Sequence, residues 1–202
     1  MAEFYNDQWR LPNNENKDKS SNYSMSFDGS SQYIDLGPSN SIITGNTVSV
    51  SIWFKTTATA RYYLFQNKRS SISTNISLEI NNPSTLGSGS VGAVVWSNPH
   101  RFLQYRDNSN LCNNGNWHNL VVTATASKLT LYYDGEKVDE FTDSFVNESS
   151  SDSSFIGLFS STSTVYFNGK LDHLSIFDYA LSDGGVSVNQ TAGGQISDLY
   201  GN

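Results

Sequence analysis

From Ser24 onward, apolar residues recur in short alternating runs separated by Gly, Asn, Asp and Ser. Alternation with a period of two puts one set of side chains on each face of an extended chain, so such runs fold as half-buried strands. Val48, Val50, Ile52 and Phe54 alternate with Ser49, Ser51, Trp53 and Lys55, which predicts a strand with one buried face. Further strands are expected over 24–27, 33–36, 62–66, 76–80, 92–97, 102–105, 119–126, 128–133, 137–141, 155–159 and 171–177. Asp134-Gly135 sits between two of these runs and reads as a hairpin turn. No run has helical spacing beyond single turns near 180–181 and 195–199. The expected architecture is therefore all-β: a two-sheet antiparallel β-sandwich or jelly roll, one domain over 24–202.

Residues 1–23 differ from the rest. Phe4, Tyr5, Trp9 and Leu11 precede the polar stretch NNENKDKSSN. Four apolar residues in so short a segment cannot build a core, and exposed they would be an association hazard. They are expected to make assembly contacts, with a flexible arm as the alternative.

Composition narrows the function. Hydrophobic residues make up 37% and charged residues 15%, while aromatics reach 13%. Disorder combines low hydrophobicity with high charge and few aromatics, so this is a folded domain with a neutral polar surface. That surface is supplied by 33 Ser and 22 Asn. A net charge of -7 argues against an electrostatic grip on nucleic acid or an acidic membrane. No apolar run approaches the ~20 residues that span a bilayer, so no membrane insertion is expected. The start, MAEFYNDQWRLPNN, lacks the basic-then-apolar pattern of a signal peptide. The single cysteine, Cys112, cannot form an internal disulfide and reads as a bystander thiol.

Four segments resemble one family in the right order: SMSFDGSSQYIDLG, VSVSIWFKT, NGNWHNLVVTATASKLTLYYDGEKV and FNGKLDHLSIFDYALS. They are similar to the strands and the Trp-His stretch of laminin-G-like, concanavalin-A-like lectin/glucanase jelly rolls. Within that pattern, Trp117 is expected to fill one end of the core. The segment RLPNNENKDKSSNYSMSFDG resembles the start of laminin-G-like structural proteins from marine bacteriophages. The resemblance implies a non-enzymatic virion protein, a decoration, fibre or appendage subunit. Its partners would be other virion proteins or copies of itself, and it would be made in the host cytoplasm without a signal. The alternative is a carbohydrate-binding module, extracellular, that attaches to cell-surface glycan. The resemblance further implies a structural Ca²⁺ site, with Asp28 and Asp172 brought together at one edge; by strand parity Asp172 is expected on the same face as Leu174 and Ile176.

Glucanases share this fold and align their carboxylates as Glu-x-Asp-x-x-Glu, two residues apart on a strand face. None of the six Glu begins that pattern; Glu136, Asp139 and Glu140 come nearest at the wrong spacing. His100, His118 and His173 share no short metal-ligand spacing, and G-x-S-x-G and phosphate-loop motifs are absent. No catalytic residue is expected. Glycan binding combines an aromatic platform with amide and carboxylate hydrogen bonds. Trp96, Asn98, His100, Tyr105, Arg106 and Asp107 supply that mixture within a short stretch. The alternative there is that Trp96, Phe102 and Tyr105 alternate into the core. Arg61, Tyr62 and Tyr63 form a second candidate.

Overall fold

A computed structural model describes residues 24–70, 73–97, 99–159 and 165–182. The apolar arm residues Phe4, Tyr5, Trp9 and Leu11 lie outside the described residues, as does the turn expected near 195–199. Twelve strands build two six-stranded antiparallel sheets. The first sheet holds β1 (Met25–Asp28), β3 (Val48–Lys55), β8 (Trp117–Ala124), β9 (Leu129–Tyr133), β10 (Glu136–Phe141) and β12 (Asn168–Phe177). Its spatial order is β1-β12-β3-β8-β9-β10. The second holds β2 (Ile34–Pro38), β4 (Tyr62–Ser70), β5 (Ser73–Ile80), β6 (Val91–Trp96), β7 (His100–Tyr105) and β11 (Ser153–Ile156). Its order is β2-β11-β4-β5-β6-β7.

The core forms where the two inner faces meet. In the first sheet Val50, Ile52 and Phe54 lie opposite Val122, Leu120 and His118. In the second, Ile76, Leu78 and Ile80 lie opposite Val95, Ala93 and Val91. The Ile, Leu and Phe side chains of this set are fully enclosed, and each contributes about 1.5–3 kcal/mol by leaving water. Asp134 and Gly135, at φ of 50° and 82°, form the tight turn between β9 and β10 that the Asp-Gly pair predicts.

Two expectations are corrected by strand parity. Trp117 pairs with Lys55 on the outer face and is half-buried. Its neighbour His118 enters the core end instead, stacked on Tyr133 with ring centroids 5.2 Å apart. Asp172, expected in line with Leu174 and Ile176, is not. The register shifts between Asp172 and Ser175, where His173 takes φ 46°. This bulge returns Ile176 to the core opposite Val50 while Asp172 stays opposite outward-facing Trp53.

Candidate functional site

The outer faces of the two sheets differ. On the first, Ser49 Oγ donates to Tyr179 O at 2.8 Å and accepts from Leu181 N at 2.9 Å. Those bonds fold the chain after β12 back over that face, where Leu181 joins Val121 and Tyr132 in a second apolar cluster.

On the second sheet, Tyr63, Gln66 and Lys68 of β4 lie on the outer face, with Arg61 just before the strand. Tyr63 lies opposite Glu79, and Gln66 opposite Ser77. A bulge between Tyr63 and Phe65 puts both Leu64 and Phe65 in the core, which keeps Tyr63 and Gln66 on the same side. Arg61 Nη2 and Nε donate to Glu79 Oε2 at 2.6 and 3.1 Å, and Asn82 Nδ2 donates to Glu79 Oε1 at 2.6 Å. The Arg61 guanidinium also lies 4.8 Å from the Tyr63 ring centre. Burial and the Glu79 charge push the Tyr63 hydroxyl up to about 12, against the opposing pull of Arg61. Phe159 covers this row, its ring centre 4.6 Å from that of Tyr63 and 4.6 Å from Lys68 Nζ.

Beside this row, Gln66 Oε1 and Nε2, Ser77 Oγ and Lys68 Nζ have no hydrogen-bond partner among the described residues. Gln66 and Ser77 are 0% exposed and Lys68 1%. Each buried, unpaired polar group costs about 1–3 kcal/mol, more if charged. Burial lowers the Lys68 ammonium from its ordinary value, and the charge of Asp152 partly offsets this. The half-buried parts of this face are the Tyr63 and Phe159 rings and the Arg61 guanidinium, an aromatic surface of the kind that stacks on a sugar ring. Arg61 and Tyr63 of the second sequence candidate belong to this face. Gln66, Lys68 and Ser77 were missed, because Gln66 and Lys68 sit in the continuous polar run 66–70, which reads as a solvated strand end, and Ser77 alternates with Ile76 and Leu78 as an outer-face residue does. Their burial is a tertiary property with no signature in the strand itself.

The first candidate set is divided. Trp96 and His100 pair across β6 and β7, with ring centres 4.5 Å apart. The Trp96 ring is capped by the Arg69 guanidinium at 3.7 Å, and its Nε1 donates to Glu148 Oε1 at 2.8 Å. Glu148 in turn pairs with Arg69 at 2.6 Å. Tyr105 is at the far end of β7, about 17 Å from His100 at strand rise, and packs against the core beside Tyr133. Arg106 reaches Leu86 O at 3.5 Å, and Asp107 accepts from Ser109 N at 2.7 Å to close a local turn. Asn98 lies outside the described residues.

Asp28 and Asp172 are also apart. Asp28 pairs with Asn168 across β1 and β12, leaving Asp172 four residues further along, about 13 Å away. Asp28 Oδ1 accepts from Ser30 N and Ser31 N at 2.8 and 3.1 Å, bonds that hold its pKa down. Asp172 Oδ1 accepts from His173 N at 2.8 Å. Each carboxylate serves its own turn, so the pair does not fit one ion, and no group of three acidic, His or Cys side chains gathers among the described residues. The carboxylates nearest the glucanase pattern are likewise engaged. Asp139 accepts from Gln104 N, and Glu140 pairs with Lys128 and Lys137. Cys112, 1% exposed, is pushed up to about 12, chiefly by burial. Two clefts lie elsewhere: an apolar one of about 130 Å³ beside Met25 and Leu174, and one of about 340 Å³ between Thr44 and Tyr179. No helix among the described residues is long and apolar enough to cross a membrane.

Residues 28–187 match the laminin G family described as the concanavalin A-like lectin/glucanases superfamily. No curated protein matches the sequence. Among solved structures, the fold is similar to a CBM40 domain of a Ruminococcus gnavus sialidase bound to α2,3-sialyllactose. That pair is 16% identical, covers 82% of this chain and 95% of the other, and has a TM-score of 0.62. Domain 4 of an extracellular arabinanase from Geobacillus stearothermophilus, in complex with arabinotriose, is 20% identical, with coverage of 81% and 74% and a TM-score of 0.61. A heptameric SAP-like pentraxin from Limulus polyphemus is 15% identical, with coverage of 86% and 84% and a TM-score of 0.60.

Proposed function

Because this chain belongs to the concanavalin A-like lectin/glucanases superfamily, we propose that it is a non-catalytic domain that binds saccharide on the outer face of its second sheet. The observation that supports this most directly is the half-buried aromatic pair Tyr63 and Phe159 on that face, with the Arg61 guanidinium 4.8 Å from the Tyr63 ring centre. Aromatic rings stack against the apolar face of a sugar. The similarity to domains solved with sialyllactose and arabinotriose favours the same reading. The absence of catalysis rests on the engagement of Asp139 and Glu140 in structural contacts. A glycan array with the full chain tests the proposal. Retention of a subset of saccharides, lost in Tyr63→Ala and Phe159→Ala with no reducing sugar released, is the expected result. Retention of no saccharide, or retention unchanged in both variants, overturns it.

The finer role, a virion structural component that carries this binding face to a host surface, rests on the resemblance of residues 10–29 to phage proteins. Mass spectrometry of purified particles tests it: recovery of this chain in stoichiometric amounts supports the role, and its absence from particles rules the role out.

A further inference from the structure

We propose that the cleft of about 340 Å³ between Thr44 and Tyr179 is a second saccharide site, separate from the outer face of the second sheet, that takes the neutral end of a sugar chain. It lies where β3 begins and β12 finishes, between the connection Ile42–Val48 and residues Ile176–Tyr179. Its floor is apolar: Ile43 and Val48 belong to the core, and Ile42 and Ile176 pack against it. Strand parity sets the wall. Ile176 turns to the core opposite Val50, so Phe177, opposite Ser49, turns to the other face. The Tyr179 ring centre stands 5.4 Å from that of Phe177. The Tyr179 backbone is pinned, because its carbonyl accepts from Ser49 Oγ at 2.8 Å and Leu181, two residues on, is buried. The residue is nonetheless 43% exposed. An aromatic ring left in water on a fixed backbone adds little to the fold and offers a ready stacking surface.

The polar side chains around this cleft are uncommitted. Thr44, Thr47 and Asp178 have no hydrogen-bond or ion-pair partner among the described residues. Carboxylates elsewhere are engaged: Asp28, Asp35, Asp107, Asp139 and Asp143 each accept from a backbone N–H. Asp178 instead lines a cleft with its acceptors free. A carboxylate accepts from two sugar hydroxyls at once, and such charge-assisted bonds are stronger than neutral ones. No cation lines the cleft, and the Asp178 charge sits in a chain of net charge -7. That combination repels uronic and sulfated sugars and leaves neutral ones. The volume is near the lower end of the ~300–1,000 Å³ range of small-ligand sites, which limits the occupant to about one or two rings.

So small an occupant binds weakly, so the test is an amide chemical-shift titration of the full chain rather than retention on an array. The probes are galactobiose, mannobiose, cellobiose and digalacturonic acid. At least one neutral probe should move the Gly45 and Thr47 amides in a saturable way, and digalacturonic acid should leave them in place. Tyr179→Ala should weaken that probe ten-fold or more. Asp178→Asn should weaken it several-fold and lessen the discrimination against digalacturonic acid. Both side chains are exposed, so both variants keep the fold. No saturable shift at Gly45 and Thr47 with any neutral probe, equal or tighter binding of digalacturonic acid, or unchanged affinity in Tyr179→Ala overturns the proposal. Tyr63→Ala and Phe159→Ala should leave these shifts unaltered, so failure of the cleft and failure of the outer-face reading are seen separately. Loss of the shifts in those two variants would assign the binding to the outer face and also overturn the cleft.

Discussion

Lys68 is enclosed, and its ammonium has no hydrogen-bond or ion-pair partner among the described residues. Such a residue lowers the stability of the ligand-free fold. Lys68→Met should therefore raise the melting temperature, by an amount equivalent to roughly 1–2 kcal/mol, because the thioether fills similar volume without desolvating a charge. Scanning calorimetry checks this, and a lower melting temperature for Lys68→Met would contradict it. The gain carries a pH signature. The folded chain holds the Lys68 pKa below its unfolded value, so native stability rises with pH across the interval up to about 10.4. The advantage of Lys68→Met should then shrink as pH approaches 10. Cys112 and Tyr63 act in the opposite direction. Both are raised to about 12, so the stability they contribute is complete below their unfolded values and is lost as pH climbs toward 12. Cys112 should also react with a thiol reagent only at the rate of unfolding, since its Sγ is buried and lies 3.1 Å from Ser90 O. Fast labelling in native buffer would refute that.

At the scale of the element, the alternating pattern of Val48–Lys55 was legible because one face of β3 is apolar and the other carries Ser, Trp and Lys. The Asp134-Gly135 turn was legible because only residues tolerant of positive φ fit it. Bulges were not. The insertions after Tyr63 and Asp172 each change which face the next residues occupy, yet no composition marks them. That is why Asp172 was expected beside Leu174. The two ends of β7 show the same limit: nearness in sequence put Trp96 and Tyr105 in one candidate site, but an extended strand separates its ends. A sharper test of an element is Gly169 in β12. A Cβ there would collide with the backbone oxygen of Lys55 and stand 2.8 Å from the Phe167 ring, at a φ of 151° that side chains rarely adopt. Gly169→Ala should destabilise by about 1–3 kcal/mol through overpacking, lowering the urea midpoint with the slope unchanged. An unchanged midpoint would show that β12 can shift away from β3.

Across the whole molecule, the cationic groups Arg61, Lys68, Arg69 and Arg101 are gathered on β4, β7 and their approach, within a chain of net charge -7. Arg61, Arg69 and Arg101 are each matched by a carboxylate, Glu79, Glu148 and Asp143, so the row adds little net charge to that face. The order of the first sheet carries another consequence. Its first strand, β1, pairs only with β12, and β12 is also the neighbour of β3. During synthesis, β1 leaves the ribosome and must wait for about 140 further residues before its partner exists, several seconds or more at typical translation speeds. Until then β3 has an open edge on the side that β12 will fill. Nascent chains arrested before residue 168 should accordingly remain protease-sensitive and bound by chaperones, and should become resistant together once β12 has cleared the exit tunnel.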